Sequence, residues 1–178
     1  MPLPASRRAL LFGRTGGRER AVVRPPWAVS EDRFTDLCDR CGDCFSACDE
    51  GILIKGAAGF PEVNFQKGEC TFCGDCVTAC KPRALQRDEA RAPWDLTLQI
   101  TDKCLSTRGV TCRVCGDQCD TRALRFRLVV GGHALPEIEQ TACTGCGACI
   151  GPCPVKGAIA LIPGQGATEN NEQGAHQP

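Results

Sequence analysis

Residues 143–154 read CTGCGACIGPCP and space four cysteines as C-x2-C-x2-C-x3-C, with a proline after the last one. The same cysteine spacing occurs at residues 38–48 and 70–80, and a variant with a seven-residue first gap occurs at residues 104–119. The second group recurs 73 residues later as the fourth, and the last three cysteines of the first group recur 71 residues later in the third. A fixed repeat distance indicates a duplicated structural unit. We number the groups motif 1 (Cys38, Cys41, Cys44, Cys48), motif 2 (Cys70, Cys73, Cys76, Cys80), motif 3 (Cys104, Cys112, Cys115, Cys119) and motif 4 (Cys143, Cys146, Cys149, Cys153).

The residues between the motifs predict short strands. Residues 52–55 and 60–65 flank a glycine-containing turn, and residues 123–128 and 135–138 flank Gly131 and Gly132, so each half is predicted to hold a β-hairpin between its two motifs. A further strand pair is predicted from residues 94–100 and 158–162. Short helical turns are expected after the cysteine triplets, as at 75–79 and 148–151. This combination indicates the α+β class.

Cysteine dominates the composition: the 178-residue chain has 16 cysteines, with 42% hydrophobic and 24% charged residues. In a short secreted chain such a density would indicate a disulfide scaffold. A secretory signal, however, needs about 7–15 apolar residues in a row, whereas residues 10–12 are followed by Gly13 and Arg14. No stretch approaches the about 18 apolar residues of a membrane span. We therefore expect a reducing compartment, where dense cysteine indicates metal.

Three closely spaced thiolates with a distant fourth are typical of a 4Fe–4S cluster. In the bacterial ferredoxin run, the fourth cysteine binds the other cluster of the pair. The spacing therefore predicts two tandem bacterial ferredoxin-like modules, each with two 4Fe–4S clusters and crossed ligation. The four expected sites are site 1 (Cys38, Cys41, Cys44, Cys80), site 2 (Cys70, Cys73, Cys76, Cys48), site 3 (Cys104, Cys112, Cys115, Cys153) and site 4 (Cys143, Cys146, Cys149, Cys119).

Two other uses of the cysteines were weighed. Structural zinc favours paired C-x2-C knuckles or histidine ligands, and the histidines here, His133 and His176, lie outside the motifs. Disulfides within the two-residue gaps would be strained. With four clusters bound, the formal net charge of zero would fall to about −8, because every thiol must lose its proton and each of the four cores adds a charge of +2. Such a balance argues against nucleic-acid binding.

Two features of the motifs carry further expectations. Each motif contains a glycine directly after a cysteine, and such a glycine lets the backbone approach a cluster closely. The longer first gap of motif 3, residues 105–111, makes its cluster the one expected to be labile or atypical. The glycines concerned are Gly42, Gly74, Gly116 and Gly147.

The chain divides by composition into four segments. Residues 1–30 are predicted to form a basic flexible arm, residues 31–90 and 91–163 the two ferredoxin-like modules, and residues 164–178 a disordered tail. The arm is interpreted either as a solvated basic tail or as a docking element. Its Arg7-Arg8 pair resembles a twin-arginine export signal, but the apolar run that such a signal needs is missing. The arginines of the arm are Arg7, Arg8, Arg14, Arg18, Arg20 and Arg24.

Sequence features around the cysteines resemble the NapF family, the ferredoxin-type proteins of periplasmic nitrate reductase systems. They are Ser6-Arg7-Arg8, Arg24-Pro25-Pro26-Trp27, FPEVNF at residues 60–65, Trp94-Asp95-Leu96 and the seven-residue gap of motif 3.

This resemblance implies a cytoplasmic accessory protein that binds the catalytic subunit NapA before its export. It further implies a role in cluster acquisition or reductive activation of NapA, with all sixteen cysteines as ligands. The sequence contains no serine–histidine pairing, phosphate loop or dinucleotide motif, so it does not predict an enzyme. The alternative interpretations are an electron-transfer ferredoxin, or an electron-transfer subunit of a respiratory oxidoreductase, and a protein whose clusters are only structural.

Overall fold

The computed structural model describes residues 22–164. The predictions of an arm before residue 22 and of a tail after residue 164 therefore lie outside the described residues. Between residues 22 and 164, no helix is long and apolar enough to cross a membrane.

Both short helices and short strands occur along the chain, in agreement with the predicted mixture of helix and strand. The α-helices are α1 Glu31–Leu37, α2 Asp43–Ser46, α3 Asp75–Thr78 and α4 Val114–Asp117. The strands are β1 Leu53–Lys55, β2 Pro61–Val63, β3 Leu96–Ile100, β4 Leu124–Leu128, β5 Ala134–Ile138 and β6 Ile159–Pro163. Single turns of 3-10 helix occur at Ala57–Gly59, Ser106–Arg108 and Gln140–Ala142.

Both predicted hairpins are present. Strands β1 and β2 pair antiparallel with Leu53 opposite Val63, and both of these side chains are buried. Strands β4 and β5 pair antiparallel with Leu124 opposite Ile138. Each of the sheets within residues 22–164 has two strands, so every strand keeps an outer edge on which the missing N–H of a proline such as Pro136 is tolerated.

An outer strand pair encloses the hairpin of the second half, as the sequence predicts. Strands β3 and β6 pair antiparallel with Leu98 opposite Leu161, and both of these residues are buried. The first half has a reduced form of this pair, a single antiparallel bridge between Ala28 and Leu85. The same order of strand pairings thus occurs in both halves.

One predicted helical turn is absent. At residues 148–151 the chain makes a turn closed by the Ile150 N–H on the Gly147 carbonyl at 2.9 Å, and no helix follows. Pro152 follows two positions after Ile150, and a proline has no N–H to continue a helix. The corresponding prediction at residues 75–79 is confirmed by α3.

Residues 22–30 are packed against the body, where a flexible arm was expected. Val23 and Trp27 are 9% and 8% exposed, and Pro25 is fully buried. Val23 accepts a hydrogen bond from the N–H of Val63, and the Trp27 carbonyl accepts one from Gln86. Residues 22–30 therefore belong to the body and not to a flexible arm, because the apolar side chains of this segment are covered by the body.

Arg24 fastens this segment. Its guanidinium donates hydrogen bonds to the Glu31 carboxylate, the shortest at 2.6 Å, and one to the Pro61 carbonyl at 3.2 Å. It also lies over the rings of Phe34 and Phe60, 5.1 and 5.5 Å from their centroids. The hydrogen bond that Arg24 donates to Glu31 raises the pKa of Arg24, while burial acts in the opposite direction. Arg24 therefore connects the segment to both α1 and β2.

Arg24→Ala is expected to lower the free energy of unfolding by about 1–3 kcal/mol, because a partly buried ion pair and two cation–π contacts are lost together. Arg24→Lys should recover only part of the lost free energy of unfolding, since a lysine cannot donate the same fork of hydrogen bonds. The measurement is anaerobic denaturant unfolding followed by tryptophan fluorescence. The control is Arg33→Ala on the exposed side of α1, and equal losses in both variants would contradict the role of Arg24.

Candidate iron-sulfur sites

Four hollows of the molecule are each lined by four cysteines. Each hollow takes three cysteines from one motif and one from the neighbouring motif of the same half. The sets are Cys38, Cys41, Cys44 and Cys80; Cys70, Cys73, Cys76 and Cys48; Cys104, Cys112, Cys115 and Cys153; and Cys143, Cys146, Cys149 and Cys119. The structure thus brings together the four sets named from the spacing as sites 1 to 4, and the ligation itself stays a prediction.

The walls of the hollows are mainly apolar. They enclose about 390, 560, 340 and 340 Å³ for sites 1 to 4, counting the space that opens to solvent. Phe34, Phe45 and Leu85 share the wall of site 1 with its cysteines, and Leu98, Leu124 and Leu161 share that of site 4. Across residues 22–164, no three Cys, His, Asp or Glu side chains converge closely enough to hold a single metal ion. The sulfurs are therefore arranged around a space instead of meeting at one point.

Glycine gives the motif loops their shape. Gly42 and Gly74 follow the second cysteine of motifs 1 and 2 with φ near 89°, and each is the residue before a four-residue helix, α2 or α3. Gly147 occupies the same position in motif 4 with φ 85°. These left-handed conformations favour glycine. They turn the chain so that the third cysteine of the triplet faces the same hollow as the first two.

Gly116 does not share this role. It follows the third cysteine of motif 3, within α4, whereas the position after the second cysteine is held by Arg113 with φ −138°. A Cβ at Gly116 would contact the ring of Phe126 at 2.8 Å. Gly116 therefore permits close packing on β4, and the expectation that it lets the backbone approach a cluster stays a prediction.

Burial holds several thiols in their protonated form. It is the main cause that raises the pKa of Cys44, Cys70 and Cys115 to about 11 and of Cys76 and Cys149 to about 12. Thiolates there need a compensating positive charge, which the irons of a cluster would supply, with release of the protons. The thiol donors and the apolar hollows therefore fit a 4Fe–4S cluster.

The distant cysteine of each set is close enough to affect the others electrostatically. Burial is the largest cause that raises the thiol pKa values of the triplet, and the charge of the distant cysteine is a further cause. This holds for Cys80 acting on Cys44, Cys48 on Cys70 and Cys76, Cys153 on Cys115, and Cys119 on Cys143. The crossed arrangement is thus present in the electrostatics as well as in the lining of the hollows.

The seven-residue gap of motif 3 forms an anchored turn. The Ser106 hydroxyl, 1% exposed, donates a hydrogen bond to the Ala134 carbonyl on β5. The Thr107 hydroxyl donates to the Cys104 carbonyl at 2.8 Å, and the Val110 N–H donates to Leu105 at 3.0 Å. Sequence reasoning missed Ser106; the available signal was a hydroxyl residue inside an insertion that must pack beside a hairpin. The insertion is therefore tied to the body at the start of the site 3 triplet.

Ser106→Ala is expected to destabilise site 3 by about 1–2 kcal/mol, because the buried Ala134 carbonyl loses its hydrogen bond. The first measurement is anaerobic iron release to a chelator, in which the iron fraction that is released first should be released more quickly than in the unmodified chain. The second is hydrogen exchange, which should be faster in residues 104–112. Thr35→Ala removes an exposed hydroxyl of α1 and serves as the control. Unchanged exchange in residues 104–112 would show that Ser106 does not anchor the loop.

Solvent reaches the sites unequally. Cys41 of site 1 and Cys73 of site 2 are exposed, whereas Cys104 and Cys115 of site 3 are buried. Site 4 includes one buried cysteine, Cys149. Sites 1 and 2 therefore each present one sulfur at the surface, where electron exchange with another molecule is possible.

Comparisons with known proteins agree with this chemistry. A family model described as a 4Fe-4S dicluster domain matches residues 37–84, which contain motifs 1 and 2. The chain is 51% identical over 134 residues to the ferredoxin-type protein NapF of Haemophilus influenzae, covering 75% of each chain. It is 41% identical over 160 residues to NapF of Escherichia coli strain K12, covering 90% of this chain and 96% of that one.

A more distant relative is the ferredoxin-type protein NapG of Escherichia coli strain K12. It is 33% identical over 163 residues, covering 79% of this chain and 70% of that one. No solved structure matches the chain significantly.

Proposed function

The chain belongs to the NapF family of ferredoxin-type iron–sulfur proteins, and from this premise we propose that it is an accessory protein with four 4Fe–4S clusters in two tandem ferredoxin-like modules. It acts in the cytoplasm on the catalytic subunit NapA of a periplasmic nitrate reductase. There it assists cluster acquisition or reductive activation of that subunit before export. The protein is not itself an enzyme.

The observation that carries the cluster count is the lining of the four hollows. Each hollow has four cysteines, and every one of the 16 cysteines lines one of them. The family model covers only motifs 1 and 2, but motifs 3 and 4 repeat the same arrangement around β4 and β5. A content of four clusters, two in each module, uses every one of the cysteine thiols as a ligand.

The identity of the partner rests on the resemblance. The relatives NapF and NapG share the Nap name, which supports a nitrate reductase system as the setting. The segment proposed to dock on NapA is the arginine-rich stretch before residue 22. Since Arg24 is bound within the body by Glu31 and Pro61, the arginines proposed to contact the partner are Arg7, Arg8, Arg14, Arg18 and Arg20.

The deciding experiment is an anaerobic pull-down of the NapA precursor with the reconstituted protein, combined with iron and sulfide counting. The full chain is expected to retain NapA and to hold four clusters. Deletion of residues 1–21 should abolish retention while the iron content and visible spectrum stay unchanged. Replacement of the five arginines by glutamine is the matched variant that keeps the chain length.

The rival function is a mobile electron carrier, and the exposed Cys41 and Cys73 favour it. A carrier would reduce several acceptor proteins without retaining any of them in the pull-down. Retention that is unaffected by the deletion would instead place the docking surface on the body. Reversible low-potential reduction seen by electron paramagnetic resonance would exclude clusters that are only structural.

A further inference from the structure

The loops of motifs 2 and 4 touch each other. The backbone N–H of Cys70, the first cysteine of motif 2, donates a hydrogen bond to the backbone carbonyl of Cys146, the second cysteine of motif 4, at 2.8 Å. Within residues 22–164, no backbone hydrogen bond of this kind joins motif 1 to motif 3 or motif 4. The contact between the two halves of the chain thus includes ligand loops, and those loops belong to sites 2 and 4.

Side chains hold these loops together. Gly147 lies so close to Phe65 that a Cβ on the glycine would overlap the ring. Phe65 is 6% exposed and packs edge-to-face on Trp94, with centroids 5.6 Å apart. Trp94 packs in turn on Phe72 of the motif 2 loop at 5.7 Å. We call these four residues and the Cys70–Cys146 hydrogen bond the junction.

Crossed ligation sets the neighbours within each half. Cys44 lines site 1 and Cys48 lines site 2, although the two cysteines are only four positions apart. In the second half, Cys115 and Cys119 line sites 3 and 4 in the same manner. Site 1 is therefore beside site 2, and site 3 is beside site 4. The junction adds the one missing neighbour relation, between site 2 and site 4.

We propose that the junction connects the four sites into a single electron path in the order 1, 2, 4, 3. Sites 2 and 4 are the inner pair, and sites 1 and 3 are the ends. This rests on the proposed function, because it requires four clusters. Two independent modules joined only by chain connectivity would need no hydrogen bond between ligand loops and no glycine packed under Phe65.

The step across the junction is the transfer of one electron. A cluster held by Cys70, Cys73, Cys76 and Cys48 at site 2 would go from the +1 to the +2 core, and one held by Cys143, Cys146, Cys149 and Cys119 at site 4 would go from +2 to +1. No bond forms or breaks, and no proton has to move. The electron enters from a low-potential one-electron reductant at one end of the path. Because electron transfer slows steeply with distance, the path depends on the loops staying in contact.

Magnetic coupling between reduced clusters tests the order directly. A Cys41→Ala/Cys112→Ala variant leaves sites 2 and 4 loaded, and a Cys73→Ala/Cys146→Ala variant leaves sites 1 and 3. After reduction with dithionite, the first variant should give a broadened, spin-coupled electron paramagnetic resonance spectrum, and the second the sum of two isolated spectra. An uncoupled inner pair, or an outer pair coupled as strongly, overturns the order.

Hydrogen exchange in the fully loaded chain tests the junction without removing ligands. Phe65→Ala and Gly147→Ala should each raise deuterium uptake several-fold in the peptide containing the Cys70 amide, because its hydrogen bond opens. Phe60→Ala removes a ring packed on Phe34 within the first half. Gly42→Ala introduces the same left-handed strain as Gly147→Ala, with only ordinary contact to Phe45. Both controls should leave the Cys70 peptide unchanged.

The outcomes separate the two proposals. Unchanged uptake in both junction variants overturns the junction. An iron content below four clusters in the unmodified chain contradicts the proposed function, whereas four clusters with an uncoupled inner pair contradict the electron path alone. Coupling in the inner pair together with increased uptake in the junction variants supports the path.

Discussion

Cys48→Ala is expected to abolish the cluster at site 2, although Cys48 belongs to motif 1. In the structure, Cys48 lines the same hollow as Cys70, Cys73 and Cys76. Removing one of four thiolates leaves an iron without its protein ligand, so the variant should lose about one quarter of the chain's iron. The measurement is iron and sulfide content after anaerobic reconstitution.

Double variants identify the cluster that is lost, because substitutions at one site are not additive. Cys48→Ala combined with Cys73→Ala affects site 2 twice and should remove the iron of one cluster. Cys48→Ala combined with Cys41→Ala affects two sites and should remove the iron of two. Ligation within each motif, without crossing, predicts the reverse in both cases. The reverse pattern would therefore falsify the assignment of Cys48 to site 2.

Removal of all iron is expected to abolish the cooperative unfolding transition. Within residues 22–164, the longest helix has 7 residues and the strands have 3 to 5. Helices this short and isolated two-stranded sheets are marginal in water. Cysteines also form part of the apolar core, with Cys76, Cys115 and Cys149 among its buried members. We therefore expect bound clusters to supply many of the cross-connections that keep the core together.

The test is anaerobic iron removal with an oxidant and a chelator, followed by far-ultraviolet circular dichroism and thermal unfolding. The iron-free chain should lose its thermal transition and expose its backbone to hydrogen exchange throughout residues 22–164. Reconstitution with iron and sulfide should restore both signals, which controls for chemical damage. An iron-free chain with an unchanged transition would show that the fold does not depend on the clusters.

The hairpins and the outer strand pair of the second half could be predicted from alternating apolar residues and glycine turns. One prediction failed because packing decided the outcome. Residues 22–30 have no helical or strand periodicity, yet Val23, Pro25 and Trp27 are buried, because a segment without periodicity can still be covered by distant residues. The packing of Gly116 against Phe126 is likewise a tertiary contact, which the cysteine spacing does not encode.

The sequence by itself determined the chemistry of this protein. The spacing of its cysteines follows from the need to place three sulfurs of one loop and a distant fourth around a cluster, and that requirement is local enough to be read from the chain. Only the tertiary structure decided which sites are neighbours across the two halves. The contacts between Cys70 and Cys146 and between Phe65 and Gly147 join residues more than 70 positions apart. Such contacts depend on how the halves pack, and no motif spacing encodes them.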